Sequence, residues 1–122
     1  MGKKLRIAIV GSRRRLDKEK VELLVNELPE NTIVISGGCD GVDTWAVDAA
    51  KKRGLEYIEY EPKKLDSNAS YFEVVQTYYD RNFLIAEDAI DGVFAFPSSD
   101  RKGGTENTLK HAKKLKRKIV LF

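Results

Sequence analysis

The chain has 122 residues, of which 42% are apolar and 34% are charged, and its formal net charge is +3. These values predict a single folded domain over residues 1–122. They exclude a disordered tail and a membrane protein, because no run approaches the ~18 apolar residues of a spanning helix. One cysteine and one histidine exclude an internal disulfide and a Cys/His zinc site, so neither a metal nor a cofactor is expected. The apolar stretch after the basic N-terminus is too short for a signal peptide, which favours a cytoplasmic location.

The first part of the chain predicts two strands joined by a helix. Leu5 to Val10 is an apolar run rich in Ile and Val, typical of a strand buried on both faces. Asp17 is placed to cap a helix, with Leu16 packing against Val21 as a hydrophobic staple. Thr32 to Ile35 follows as the second strand.

The same alternation continues to the C-terminus. A helix after a glycine-rich loop stops at Gly54, and Leu55 to Tyr60 predicts the third strand. Ser70 and Glu73 form a capping box that opens a long helix, in which Phe72 is expected on the inward face. The last three elements are a strand, a helix and a strand, at Ile90 to Phe96, Thr105 to Lys116 and Ile119 to Phe122.

Alternating strands and helices at this spacing predict an α/β, three-layer Rossmann-like fold. Its five-stranded, mainly parallel sheet carries helices on both faces. In such sheets ligands bind outside the carboxyl ends of the strands, where the strand order reverses. The loops after strands one, two and four are therefore the candidate binding loops.

The loop after the second strand is rich in glycine. Glycine lacks a Cβ atom, so its backbone amides can approach a phosphate at the start of the following helix. Asp43 is expected either to support the helix dipole or to accept a hydrogen bond from a ligand hydroxyl. The candidate ligand-binding residues of this loop are Ser36, Gly37, Gly38, Gly41 and Asp43.

Two further loops supply candidate ligand-binding residues. The turn after the first strand offers an amide, a hydroxyl and a guanidinium group, which suit phosphate oxygens. The loop after the fourth strand places glycines at a helix start. These residues are Gly11, Ser12, Arg13, Pro97, Gly103, Gly104 and Thr105.

Three residues on predicted helices complete the candidate site. Arg81 and Asn82 lie within the long helix, where they are either solvated or reach the binding loops. Glu106 follows Gly103-Gly104-Thr105, where it is either a dipole partner of the helix or a catalytic carboxylate.

At these residues the chain resembles the SLOG superfamily of Rossmann-like domains, which includes DNA-processing protein A and the Lonely Guy (LOG) phosphoribohydrolases. The resemblance covers nearly the whole chain. It implies a pocket that binds a nucleotide or a nucleotide-derived ligand between the two glycine loops, and it implies a homodimer.

The resemblance also leaves two alternative functions open. Similarity to the LOG enzymes implies hydrolysis of the N-glycosidic bond of nucleoside 5′-monophosphates, with Arg81 and Glu106 as catalytic residues. This chain departs from that pattern, because Asn107 stands where the first carboxylate is expected. Similarity to DNA-processing protein A implies single-stranded nucleic-acid binding, for which the lysine-rich last helix and Arg13 to Arg15 are available.

Overall fold

The computed structural model describes residues 3–122 and contains one five-stranded sheet. All neighbouring strands are parallel, and their spatial order is β3-β2-β1-β4-β5. This confirms the predicted α/β, Rossmann-like fold, with a sheet that is wholly rather than mainly parallel. The strands are β1 Leu5–Gly11, β2 Thr32–Ser36, β3 Glu56–Glu59, β4 Gly92–Phe96 and β5 Ile119–Leu121.

Four helices connect the strands, within one or two residues of the predicted ends. The helices are α1 Lys18–Glu27, α2 Val42–Arg53, α3 Tyr71–Asp88 and α4 Gly104–Lys114. Within residues 3–122, none of them is long and apolar enough to cross a membrane.

Side chains of the central strand β1 alternate between two cores. Ile7 and Ile9 belong to the core beneath α1 and α2, whereas Ala8 and Val10 belong to the core beneath α3 and α4. This alternation follows from the two-residue period of a strand. Trp45 on α2 is partly buried and packs against the first of these cores.

The helix ends agree with the sequence signals in two cases. Ser70 and Glu73 form the predicted capping box, since the Ser70 hydroxyl accepts from the Glu73 amide and the Glu73 carboxylate accepts from the Ser70 amide. Gly54 ends α2 in the left-handed conformation, with φ of 79°. The missing Cβ of glycine makes this conformation accessible at little cost.

Three local predictions were wrong. Asp17 caps no amide of α1 with its side chain, because its carboxylate is paired with the guanidinium of Arg15. Leu16 is 95% exposed and therefore forms no staple with Val21. Phe72 is 81% exposed, because it lies in the first turn of α3, away from the core.

The sheet order places its reversal point between β1 and β4. The chain builds outward from β1 to β2 and β3, and then crosses back to add β4 on the other side of β1. At the carboxyl ends of these two strands, Gly11 pairs with Phe96. The start of α2 lies very close, since a Cβ atom on Gly11 would meet Val42 Cβ at 2.7 Å and the Phe96 carbonyl oxygen at 2.8 Å.

Gly11→Ala should therefore destabilise the protein by about 1–3 kcal/mol, because the new methyl group overlaps fixed neighbours. Gly104→Ala is the control, since the nearest atom to its added Cβ is the Asn82 amide nitrogen at 4.0 Å. We expect this control to be neutral or slightly stabilising. Urea unfolding measures both changes, and equal stability of the two variants would contradict this packing.

Candidate functional site

A cavity of about 670 Å³ opens at the carboxyl ends of β1 and β4. It is bounded by the loop after β1, by the inner face of α3 and by the start of α4. This is the reversal point at which ligands bind in open parallel sheets. The predicted ligand-binding residues that line it are Gly11, Ser12, Arg13, Asp43, Arg81, Asn82, Gly103, Gly104 and Thr105.

Arg81 is a buried arginine on α3, with only 6% of its surface exposed. Its NH1 group donates to the carbonyl oxygens of Gly37 at 2.5 Å and Tyr60 at 3.4 Å. Its Nε donates to the Asn82 side-chain oxygen at 3.0 Å. Arg81 therefore reaches the loops after β2 and β3, as one of the two interpretations of the sequence predicted. Its NH2 group donates to the Cys39 sulfur at 3.6 Å. All these partners are neutral, so the positive charge of Arg81 is not cancelled by an ion pair within residues 3–122.

Asn82 connects α3 to the start of α4. Its side-chain nitrogen donates to Asn107 Oδ1 at 3.1 Å and to the Gly104 carbonyl oxygen at 3.4 Å. Asn82 is only 5% exposed, so these bonds lie in a largely dry environment. Asn107, which occupies the position of an expected carboxylate, thus helps to hold Asn82 in place.

Asp43 lies beneath the two loops and is 5% exposed. Its carboxylate accepts from the amides of Gly11 at 3.2 Å and Cys39 at 3.4 Å. Burial raises the pKa of Asp43 to about 6, although these amides and the Arg81 charge oppose the rise.

Gly37 is confined between these two charged side chains. A Cβ atom there would meet Asp43 Oδ2 at 2.8 Å and Arg81 NH1 at 3.2 Å. The glycine is thus required by internal packing. Because Asp43 accepts from the amide of Cys39, this loop has fewer free donors for a phosphate than its sequence pattern indicates.

Five predicted residues lie outside the lining of this cavity. The hydroxyl of Ser36 donates to the Ile9 carbonyl oxygen at 2.6 Å, and the Pro97 carbonyl oxygen accepts from Arg15. Gly41 has φ of 84° and lies against the backbone of Arg13. The other two, Gly37 and Gly38, face a neighbouring cavity.

Glu106 also lies outside the cavity lining. Both of its carboxylate oxygens accept from the guanidinium of Arg101, at 2.8 and 3.0 Å. It occupies the first turn of α4, where a negative charge is favourable to the helix dipole. Its observed contacts therefore match the dipole-partner interpretation.

The sequence did not single out several lining residues on α3 and on the loop after β4. In that loop, Asp100 accepts from the Ser98 hydroxyl and the Lys102 amide, and the Ser98 bond in particular lowers the pKa of Asp100. The spacing of polar residues before Gly103 was the available signal for this turn. The missed lining residues are Val10, Arg14, Cys39, Val75, Tyr78, Tyr79, Ile85, Ser98, Asp100, Lys102 and Thr108.

The charge of the cavity favours an anion. Arg14 is paired with Asp100 at 2.9 Å. In contrast, the side-chain cations of Arg13 and Lys102 make no hydrogen bond or ion pair with any residue from 3 to 122. No side chain caps α4, so its first amides are free to bind a ligand. Among the same residues, no cluster of His, Cys, Asp and Glu is arranged to hold a metal ion.

No protein-family model and no curated protein matches the sequence. Two solved structures share its fold. DNA processing protein A (DprA) from Streptococcus pneumoniae has a TM-score of 0.78 at 20% identity, over 97% of this chain and 50% of that one. TM1055, a structural genomics target, has a TM-score of 0.65 at 16% identity, over 94% of this chain and 72% of that one. The chain thus has the Rossmann-like fold of these two structures, and it spans half the length of DprA.

Asp43 should make stability depend on pH in a definite direction. Its pKa in the folded protein is about 6, above the value of 3.8 for an ordinary aspartate, so the folded state binds the proton more tightly. The stabilisation from this proton is present at low pH and is lost as pH rises from about 4 to about 6.

The test compares the wild type with Asp43→Asn, which cannot titrate. The free energy of unfolding of the wild type, minus that of the variant, should fall by about 2 kcal/mol between pH 4 and pH 7. Urea unfolding at intermediate pH values measures the difference and cancels the contributions of other carboxylates. A difference that stays constant with pH would show that Asp43 titrates normally.

Proposed function

We propose that this protein binds a nucleotide or a nucleotide-derived ligand in the cavity between β1 and β4. The observation that carries the proposal is the combination of two unpaired cations, Arg13 and Lys102, with the uncapped start of α4. These groups border one cavity and all of them attract anions. A phosphate group at Gly103 and Gly104 would meet both the helix amides and the side-chain charges.

The opposite wall of the cavity suits the base and the sugar. Tyr78 and Tyr79 line it together with the apolar side chains of Val75 and Ile85. Aromatic rings at a cavity wall can stack on any nucleobase, because every base has a flat aromatic face. The volume of about 670 Å³ lies within the range of small-molecule sites.

The contacts of Glu106 support binding rather than hydrolysis. Glycosidic hydrolysis requires a carboxylate close to the sugar carbon, and Glu106 is held outside the cavity by Arg101. We therefore propose a ligand-binding domain and assign no catalytic role to Glu106. Single-stranded DNA is the other ligand to be tested, because one fold neighbour is a DNA processing protein.

Binding can be tested by isothermal titration with nucleoside mono- and diphosphates and with a short single-stranded DNA. We expect micromolar or tighter binding of a nucleotide. Replacing both Arg13 and Lys102 by Ala should weaken it by at least about tenfold, since two charge-assisted contacts are lost. Lys52→Ala is the matched control, because Lys52 is an exposed cation at the far end of α2.

Two outcomes would contradict the proposal. If only DNA binds, the ligand is a nucleic acid and not a nucleotide. If a nucleotide binds equally well to the double variant, it binds outside this cavity.

We also propose that the protein forms a homodimer through α3. Phe72, Tyr79 and Phe83 follow one another at helical spacing, and they are 81%, 44% and 36% exposed. An exposed apolar stripe of this kind is typical of an interaction surface.

Light scattering should give the mass of a dimer for the wild type and of a monomer for Phe72→Glu. Leu23→Glu on α1 is the control, because Leu23 is 60% exposed but lies on the other face of the sheet. A dimer that persists in Phe72→Glu, or a wild type that is monomeric at high concentration, would contradict this interface.

A further inference from the structure

A second cavity of about 550 Å³ lies beside the first one. Its walls are the glycine loop after β2, the irregular segment 61–66 after β3 and the first half of α3. It therefore lies at the carboxyl ends of β2 and β3, whereas the first cavity lies at those of β1 and β4.

The two cavities share one wall. Arg13, Cys39, Tyr78 and Arg81 line both of them. The guanidinium of Arg81 lies 5.8 Å from the centre of the Tyr78 ring. These two side chains form the partition between the two cavities. Tyr78 is 46% exposed, which leaves the outer edge of the partition open to solvent. A ligand can therefore extend from one cavity into the other across Arg13 and Tyr78.

The charges of the second cavity differ from those of the first. The second cavity adds the carboxylates of Asp40, Glu61 and Asp66, which largely balance the charges of Lys63, Lys64 and the shared Arg13 and Arg81. Carboxylates accept hydrogen bonds from sugar hydroxyls and repel phosphates. This cavity therefore suits a polar, hydroxyl-rich group of little net charge rather than a second phosphate chain.

We propose that the ligand has two parts, a nucleoside diphosphate in the first cavity and a second sugar or nucleoside in the second cavity. The inference rests on the nucleotide-binding function proposed above. Each cavity alone has the volume of a small-molecule site, so a mononucleotide would fill only one of them. One phosphate would lie at the start of α4 and the other at Arg13, where the linkage enters the second cavity. The Arg13 side chain has no partner among residues 3–122 and lines both cavities.

The test uses matched pairs of probes that differ only in the second part. ADP is compared with ADP-ribose, GDP with GDP-mannose and UDP with UDP-glucose, each by isothermal titration. In the pair whose base binds most tightly, we expect the two-part ligand to bind at least about tenfold more tightly than the simple diphosphate.

A substitution that fills only the second cavity isolates the effect. Thr77 lines the second cavity but not the first, and Thr77→Trp should remove the advantage of the two-part ligand while leaving the affinity for the simple diphosphate unchanged. That unchanged affinity also shows that the variant is folded. Glu87→Trp is the control, because Glu87 is exposed near the end of α3 and lines neither cavity, and it should preserve the full advantage.

The possible failures are distinguishable. If a nucleoside diphosphate binds but its two-part partner gains nothing, or if the gain survives in Thr77→Trp, the second cavity is not a ligand compartment and the inference is wrong. If no member of any pair binds, the proposed nucleotide-binding function fails, and this inference fails with it.

Discussion

The arrangement of the site depends on the buried guanidinium of Arg81. A buried cation is costly unless its hydrogen bonds are satisfied, and Arg81 satisfies them with the Gly37 carbonyl oxygen and the Asn82 side chain. Asn82 in turn donates to the Gly104 carbonyl oxygen at the start of α4. One side chain thus couples the loop after β2, the long helix and the start of the last helix.

Asp43 complements Arg81 from the opposite side of Gly37. It accepts from the amide of Gly11 at the end of β1 and from that of Cys39 in the loop after β2, and so holds the two together. Because these amides already donate to Asp43, they are not available to a ligand. The donors that remain free lie around Gly103 and Arg13, and this is where an anion finds unpaired positive charge.

The fold was predictable from the sequence because its signals are local. Runs such as Leu5 to Val10 and the Ser70–Glu73 capping box specify elements within a few residues, and their alternation specifies a parallel sheet. The site was only partly predictable. Some of its contacts join distant residues or compete with other partners, and no local pattern encodes them. Arg81 is buried against Gly37, Asp43 accepts from backbone amides, and Arg101 pairs with Glu106. Leu16 illustrates the same limit, because a staple pattern does not guarantee a packing partner.

From the free donors around Gly103 and Arg13 we expect a nucleotide phosphate at the start of α4 rather than at the glycine loop after β2. Amide chemical shifts measured by NMR during titration with a nucleoside diphosphate test it directly. We expect the largest shifts at Gly103, Gly104 and Thr105, and small shifts at Gly37, which lies outside this cavity between Asp43 and Arg81. Large shifts at Gly37 with none at Gly103 to Thr105 would contradict it.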